Sequence, residues 1–268
     1  MKKLLFISAL LFCLGFSISF EPTPERNIAT SKVVKETRQK VMVIDTGIIV
    51  TPQIKPYLCT TGHKSYIYGQ NPLTDLHGHG TNVAGLIALG MNPKKQCLLI
   101  VKFWDANMGN TNGMELVRAA LRYAIKIKPA FINMSLGGDQ PDHLEMGYIK
   151  TLIKQGTKIA VAAGNNHQNL NISCNYFPAC YNINNRNFRV VGSNTSKLMP
   201  LQRRIRVRGK HKPIKITKVN GKYFEVHPYS NFGSRVTHWE DGTEKGYRKF
   251  HGTSQATAIS MSKWVQGK

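Results

Sequence analysis

The stretch KVMVIDTGI, residues 40–48, contains an unbroken apolar run directly before an aspartate and a glycine. Runs of this kind are typical of strands that are buried on both faces, as in a parallel sheet. The run ends at Ile44, so Asp45 stands just past the predicted strand and Gly47 supplies a turn. We therefore predict a core strand that delivers a carboxylate to one edge of a parallel sheet.

Strands and helices alternate along the chain beyond this stretch. Apolar runs predict strands at residues 96–104, 130–136, 158–165 and 188–193, and apolar residues at helical spacing predict helices at residues 81–90, 112–128 and 144–156. This alternation predicts an α/β fold with a doubly wound, mostly parallel β-sheet and helices on both faces. The active sites of such sheets lie beyond the carboxyl ends of the strands, where we expect Asp45, Ser135 and Asn165.

Residues 197–228 interrupt the alternation with basic residues placed between β-branched ones. Asn220-Gly221 is a strong signal for a type I′ turn, so we predict a basic β-hairpin insertion with one cationic face. The 268-residue chain has a net charge of +23, and residues 146–224 contain no aspartate or glutamate. Two interpretations stay open: a solvated face of a structural hairpin, or a surface in residues 197–222 that binds a polyanion or an anionic envelope.

The start of the chain forms a separate segment. Two lysines precede an apolar run that is short for a membrane span, and small residues suit signal-peptidase cleavage near Ser19. We interpret residues 1–19 as a secretory signal peptide, with an uncleaved membrane anchor as the alternative. Residues 20–40 then form a polar leader and residues 41–268 the main domain. Hydrophobic residues make up 41% of the chain, which argues against a disordered protein.

Removal of the signal segment leaves four cysteines, an even number that indicates disulfides in an exported chain. Cys174 and Cys180 bracket a short loop with a proline, so we expect them to pair. That leaves Cys59 to pair with Cys97. The spacings match no strong zinc pattern. Four free thiols in a reducing compartment are the alternative, which conflicts with the signal peptide.

Two further stretches carry residues suited to nucleophilic hydrolysis. DLHGHGTNVAG holds His77 and His79, and HGTSQATA places Ser254 after a tight turn and before a helix. Such hydrolysis needs a hydroxyl, a base, a carboxylate that orients the base, and donors for the oxyanion. Ser254, one of the histidines and Asp45 supply the first three, and the amide of Asn165 supplies a donor.

Four blocks in this order resemble the subtilisin-like serine peptidases, the subtilase family: VIDTGI, HGTNVAG, NMSLGG with AVAAGNN, and HGTSQATA. The resemblance covers residues 41–258. It implies that Ser254 is the nucleophile and His79 the general base and acid, oriented by Asp45. It also implies that Asn165 and the backbone N–H of Ser254 form the oxyanion hole.

The resemblance also predicts how substrate binds. The implied substrate-binding residues are Ser135, Leu136, Gly137, Ala163 and Gly164. The backbone of residues 135–137 would pair with an extended substrate as an added strand. The family's pocket-base position, a glycine in many members, aligns with Tyr176, whose ring would shrink or reshape the S1 pocket. The loop between IALG and QCLLI is too short for the family's common calcium loop, so we expect no metal and no cofactor.

The chain departs from the family pattern at several positions. Gln255 stands where the family usually has methionine, Ala258 where it has proline, and Asn82 where it has a second histidine. None of these changes forbids catalysis. Only 14 residues follow Ser254 (268 − 254), so we expect a truncated C-terminus whose stability comes from the disulfides or a partner chain.

The sequence thus predicts a secreted or periplasmic serine endopeptidase that cleaves protein or peptide substrates through an acyl-enzyme. A catalytically impaired pseudo-peptidase, or a cationic binding protein on the same scaffold, is the alternative. His79 falls in register with the other motif residues, whereas His77 is expected to be a surface or rim residue. A zinc site at the two histidines is disfavoured because no third ligand pattern accompanies them.

Overall fold

A computed structural model describes residues 36–108, 113–198, 216–219, 221–243 and 250–268. The parallel strands of the sheet are β1 (Gln39–Asp45), β2 (Lys64–Ser65), β3 (Gln96–Lys102), β4 (Phe131–Met134), β5 (Lys158–Ala162) and β6 (Phe188–Leu198). They lie side by side in the order β2-β3-β1-β4-β5-β6. The chain therefore runs outward from β1 in both directions, and the predicted doubly wound α/β fold is confirmed.

Helices cover both faces of this sheet. Those in the described residues are α1 (His79–Ala88), α2 (Gly113–Ile127), α3 (His143–Lys154) and α4 (Thr253–Val265), with a short 3₁₀ helix at Lys55–Tyr57. Helices α1 and α4 pack on one face, and α2 and α3 pack on the other. Helix α1 begins at His79, two residues before the predicted start, so this histidine belongs to the first turn of the helix.

The apolar run of β1 requires both layers of helices. Val41 and Val43 pack in the same apolar cluster as α1 and α4, whereas Met42 and Ile44 pack with α2 and α3. All four side chains are fully buried. Successive residues of a strand face opposite sides of the sheet, so an unbroken apolar run is stable only where both sides are covered.

The described part of the predicted hairpin is an antiparallel ribbon. Strand β7 (Ile216–Val219) pairs with β8 (Lys222–Val226), and Gly221 between them has a φ of +81°. Strand β8 also pairs with β6, which attaches the ribbon to the main sheet. The arginines at positions 203–208, on which the predicted cationic face chiefly depends, lie outside the described residues. Strand β9 (His238–Glu240), which the sequence did not predict, pairs with β6 in parallel.

The described chain begins inside the predicted leader. The Arg38 guanidinium pairs with Glu36 and donates hydrogen bonds to the backbone carbonyls of Pro56, Leu58 and Pro93. Strand β1 starts directly after it, so residues 36–40 join the folded sheet. The predicted signal peptide, residues 1–19, lies outside the described residues. Within the described part of the chain, no helix combines the length and apolar character that a membrane span requires.

The structure contains two disulfides with the predicted pairing. The Cys59–Cys97 bond joins the loop before β2 to strand β3. The Cys174–Cys180 bond closes a seven-residue loop that follows β5 and contains the cis peptide Phe177–Pro178. Both disulfides lie against the apolar cluster on the α2 and α3 face of the sheet.

Candidate active site

The carboxyl end of β1 and the first turn of α1 bring a carboxylate and an imidazole together. Asp45 Oδ1 lies 2.7 Å from His79 Nδ1 and accepts the Thr46 backbone N–H at 2.8 Å. The Asp45 side chain is buried, whereas the His79 ring stays partly open to solvent. A carboxylate bound at Nδ1 keeps the proton on that nitrogen, so Nε2 is free to accept another.

Two glycines allow helix α1 to start beside the end of β1. Gly47 has a φ of +104°, in the left-handed region that favours glycine. A Cβ atom at Gly80 would lie only 3.1 Å from the Gly47 backbone nitrogen. The Gly80 N–H donates a hydrogen bond to Thr46 Oγ1 at 2.8 Å. Glycine at both positions therefore permits the close approach that places His79 next to Asp45.

A carboxylate that the sequence analysis missed, Asp75, holds the loop before α1. It accepts hydrogen bonds from the backbone N–H groups of His77, Gly78 and Thr81 and from the hydroxyls of Thr46 and Thr81. Burial disfavours the charged carboxylate, but these hydrogen bonds outweigh it and lower the pKa of Asp75. An aspartate in the loop before a helix is a common capping residue, which is the signal that could have identified it.

The surroundings of His79 raise the pKa of its imidazole. Burial by itself lowers this pKa, but the negative charge of Asp45 and its hydrogen bond raise it, and the charge of Asp75 adds to their effect. The net result is a pKa above the ordinary value for histidine. The site thus stabilises the imidazolium that forms when His79 takes up a proton.

Ser254 lies in the first turn of α4, where backbone N–H groups have no partner within the helix. Its hydroxyl donates a hydrogen bond to the Ser135 carbonyl at 3.3 Å rather than to His79. In return, the Ser135 hydroxyl donates to the Ser254 carbonyl at 2.9 Å. Ser135, in the segment after β4, therefore contacts both the hydroxyl and the carbonyl of Ser254.

Asn165, just after β5, presents a side-chain amide beside the start of α4. Its Oδ1 accepts the Thr253 backbone N–H at 2.9 Å and the Thr253 hydroxyl at 3.0 Å. With the oxygen held by two donors, the NH₂ group is left to donate to another acceptor. Asn165 is exposed, so such an acceptor can reach it from solvent.

Two of the departures from the family pattern contact each other. The Gln255 side-chain NH₂ donates a hydrogen bond to Asn82 Oδ1 at 2.9 Å, and both residues are buried. Asn82 lies one turn after His79 in α1, and Gln255 directly follows Ser254 in α4. This bond joins the two helices that carry the proposed base and nucleophile, a pairing that the sequence analysis did not predict.

The predicted substrate-binding residues divide into two groups. The backbone groups of Leu136 and Gly137 make no hydrogen bond to another described residue, so this edge is open to an extended peptide. The backbone of Ala163 and Gly164 is already used: Asn231 donates to both carbonyls, at 2.8 Å and 2.9 Å, and the Gly164 N–H donates to Thr253 Oγ1 at 3.1 Å.

His77 lies beside His79, and its ring packs against aromatic side chains. Its ring meets the edge of Trp104 at a centroid distance of 5.0 Å and lies 5.8 Å from Phe250. The centroids of His77 and His79 are 6.0 Å apart. His77 thus belongs to an aromatic cluster beside His79, and no described carboxylate pairs with its ring.

Comparison with protein families gives one match that covers most of the chain. Residues 36–260 match the model of the subtilase family, described as Peptidase_S8. The match begins before β1 and ends within α4, so it includes Asp45, His79, Asn165 and Ser254.

Individual relatives resemble about half of the chain. The chain is 35% identical to the "Major intracellular serine protease" of Bacillus subtilis over 153 residues. This aligned region covers 50% of this chain and 45% of that protein. The chain is 34% identical to the "Extracellular serine proteinase" of Thermus sp. over 142 residues. This aligned region covers 51% of this chain and 33% of that protein. The matched regions thus span less than half the length of these relatives.

Solved structures share the fold over more of the chain. A cold-adapted subtilisin-like serine proteinase has a TM-score of 0.60 at 21% identity, covering 87% of this chain and 79% of its own. A lanthipeptide protease has a TM-score of 0.61 at 20% identity, covering 85% of this chain and 72% of its own. At these identities the similarity demonstrates the fold alone.

Proposed function

This chain belongs to the subtilase family, and from that premise we propose that it is a serine peptidase. Asp45, His79 and Ser254 form its catalytic triad, and Asn165 supplies an oxyanion donor. The observation that carries the proposal is the 2.7 Å contact between Asp45 Oδ1 and His79 Nδ1. It occurs at the carboxyl edge of the sheet, where a doubly wound fold places its chemistry.

The reaction begins with attack by the Ser254 hydroxyl oxygen on the carbonyl carbon of a peptide bond. His79 Nε2 takes the hydroxyl proton, and Asp45 stabilises the resulting imidazolium. For this transfer the hydroxyl must leave its 3.3 Å hydrogen bond to Ser135 and turn toward His79. His79 then gives the proton to the departing amine, which leaves an acyl-enzyme that water hydrolyses by the same steps.

Negative charge develops on the carbonyl oxygen during each attack. The free NH₂ group of Asn165 and the backbone N–H of Ser254 are the donors that we assign to this charge. Thr253 holds the Asn165 oxygen through two hydrogen bonds, so the amide is oriented before the reaction begins. Donors fixed in advance stabilise a transition state without the cost of reorganisation.

Proteins or extended peptides are the substrates that we propose. The open backbone of Leu136 and Gly137 can pair with an extended chain, which does not require a free chain end. This favours cleavage within a chain, that is, endopeptidase activity. We also propose export, based on the predicted signal peptide at residues 1–19 and the two disulfides, which persist in oxidising compartments.

A fluorophosphonate probe, which reacts with activated serines, tests the proposal on the exported chain. We expect covalent labelling of the wild type and no labelling of Ser254→Ala. Ser173→Ala, which removes an exposed serine, is the matched control and should label like the wild type. Absence of labelling in folded wild type, or equal labelling of Ser254→Ala, would sink the proposal and favour the pseudo-peptidase alternative.

Endopeptidase action is tested separately with an internally quenched peptide that is blocked at both ends. The proposal expects cleavage, because extended pairing along residues 136–137 needs no terminus. Cleavage of only those peptides that have a free end would contradict it.

A further inference from the structure

We infer that Tyr176 fills the S1 pocket and restricts cleavage to peptide bonds that follow small residues, such as glycine, alanine or serine. P1 is the substrate residue whose carbonyl is attacked, and the S1 pocket is the space that receives its side chain. This inference rests on the proposed function and adds its substrate class. The contacts of Tyr176 with two glycines carry it.

The position of Ser254 determines where a P1 side chain must go. The attacked carbonyl has to lie at the Ser254 hydroxyl, which is bonded to the Ser135 carbonyl. Its oxygen has to reach the Asn165 amide on the other side. The P1 side chain is attached to the Cα atom next to that carbonyl, and we place it in the space between residues 135–137 and residues 163–165.

The Tyr176 ring occupies that space. A Cβ atom added at Gly137 would lie 2.5 Å from Tyr176 Cε1, and one added at Gly164 would lie 2.8 Å from Tyr176 Cγ. The ring therefore packs directly against both glycine backbones. Glycine at these positions makes room for the tyrosine itself, so the ring takes up space between the two segments.

The loop that carries Tyr176 is tied down on both sides of the ring. The Gly138 N–H donates to the Phe177 carbonyl at 2.9 Å, and the Phe177 N–H donates to the Gly138 carbonyl at 2.8 Å. On the other side, the Cys180 N–H donates to the Tyr176 carbonyl at 2.9 Å, within the loop closed by the Cys174–Cys180 disulfide. These contacts hold the backbone of Tyr176 beside residues 137 and 138, so the loop cannot easily withdraw the ring.

The chemistry of the ring agrees with a pocket for small, uncharged groups. Burial raises the pKa of Tyr176 to about 12, so the phenol is neutral at physiological pH and attracts no basic P1 residue by charge. After hydrogen, methyl and hydroxymethyl are the smallest P1 side chains and need the least space beside the ring. A leucine or phenylalanine would have to displace an aromatic ring from between two backbones.

The test measures kcat/KM for peptide p-nitroanilides that differ only at P1, with glycine, alanine, leucine or phenylalanine. The wild type should prefer alanine to phenylalanine by at least about tenfold, the discrimination expected of a pocket that excludes a bulky group. Tyr176→Ala should lower this ratio at least about tenfold, chiefly through faster cleavage after leucine and phenylalanine. Tyr176→Phe keeps the ring and should keep the preference.

Tyr68→Ala removes a fully exposed tyrosine and serves as the matched control, with an unchanged ratio. If Tyr176→Ala fails to fold, as judged by circular dichroism, Tyr176→Leu replaces it, and cleavage after leucine should rise. A wild type that prefers phenylalanine or leucine overturns the inference while the proposed function stands. A folded Tyr176→Ala or Tyr176→Leu variant with wild-type preference also overturns it. No turnover and no fluorophosphonate labelling by the wild type would overturn both.

Discussion

The two halves of the candidate site are held by different kinds of contact. In the base half, Asp45 and His79 bind each other directly, and Asp75 supports the loop before α1 through side-chain and backbone bonds. In the nucleophile half, the Ser254 hydroxyl binds the Ser135 carbonyl instead of the imidazole. The proposed base is thus placed to accept a proton, whereas the hydroxyl of the proposed nucleophile must first turn.

The difference shows where each half obtains its precision. A buried carboxylate and its hydrogen bonds orient the base half electrostatically. Helix α4 and its contacts with residues 135 and 165 position the nucleophile half through the backbone. The hydrogen bond between the Asn82 and Gln255 side chains connects the two halves, because it joins α1, which carries His79, to α4, which carries Ser254.

The largest effect is expected from removing the base. His79→Ala should lower kcat by about 10⁴-fold or more, a scale carried over from measured triads, because no other imidazole or carboxylate of the described residues is proposed to take the Ser254 proton. His77→Ala is the matched control at the neighbouring histidine. It should keep activity within about fivefold, since His77 contacts the aromatic rim and not Asp45. Turnover of a peptide p-nitroanilide measures both, and equal losses would show that the histidines act as one unit.

A smaller loss is expected from Asn165→Ala. Losing one oxyanion donor should lower kcat by about 10²–10³-fold with little change in KM, a magnitude carried over from the equivalent asparagine of another subtilase. Asn166→Ala, at the next exposed position, should leave both constants near wild type. A change confined to KM after Asn165→Ala would mean that the amide binds substrate in the ground state instead.

The pH profile tests the electrostatics of the base half. His79 must be neutral to act as a base, and its pKa is raised, so kcat/KM should increase with pH through a midpoint above 6.5. Activity should fall about tenfold per pH unit below that midpoint. Asp75→Asn removes a charge that helps to raise this pKa, so the midpoint should move to lower pH. Asp139→Asn, at an exposed position, is the control and should leave the midpoint unchanged. An unchanged midpoint in Asp75→Asn would contradict the effect of the Asp75 charge on the pKa of His79.

The smallest effect is expected where the two halves meet. Gln255→Leu or Asn82→Ala breaks the bond between α1 and α4, which should lower kcat several-fold by loosening the spacing of His79 and Ser254. A double-mutant cycle on kcat/KM should give a coupling energy of about 0.5–3 kcal/mol. Thermal unfolding of the same variants separates the loss of geometry from the loss of stability. Strictly additive effects on activity would mean that the bond does not position the two residues.

Much of the fold follows from local pattern. The apolar run of β1 predicted a strand covered on both faces, and helices were predicted close to where α2 and α3 lie. Helix α1 began two residues earlier than predicted because glycines allow a close approach to β1, which hydrophobic periodicity does not report. Strand β9 was missed because three residues carry too little pattern to be recognised.

Part of the candidate site was also predicted from local sequence pattern. Residues at strand ends can be placed from the order of the elements, and the subtilase blocks predict which of them form the catalytic group. Asp75 was missed because its role depends on several donors converging from a folded loop. The Asn82–Gln255 pair was missed because its members are 173 positions apart, and each looked like an isolated departure from the family pattern.

The sequence by itself therefore determined the layered α/β architecture, and it supplied the proposed reactive groups and their order along the chain. Hydrophobic periodicity and motif spacing are local properties, so they can be read without a structure. Only the tertiary structure decided that Ser254 bonds to Ser135, 119 positions away, and that the Tyr176 ring lies between Gly137 and Gly164. Such contacts depend on how whole helices and loops pack, and that packing is set by the complete chain rather than by any one stretch of it.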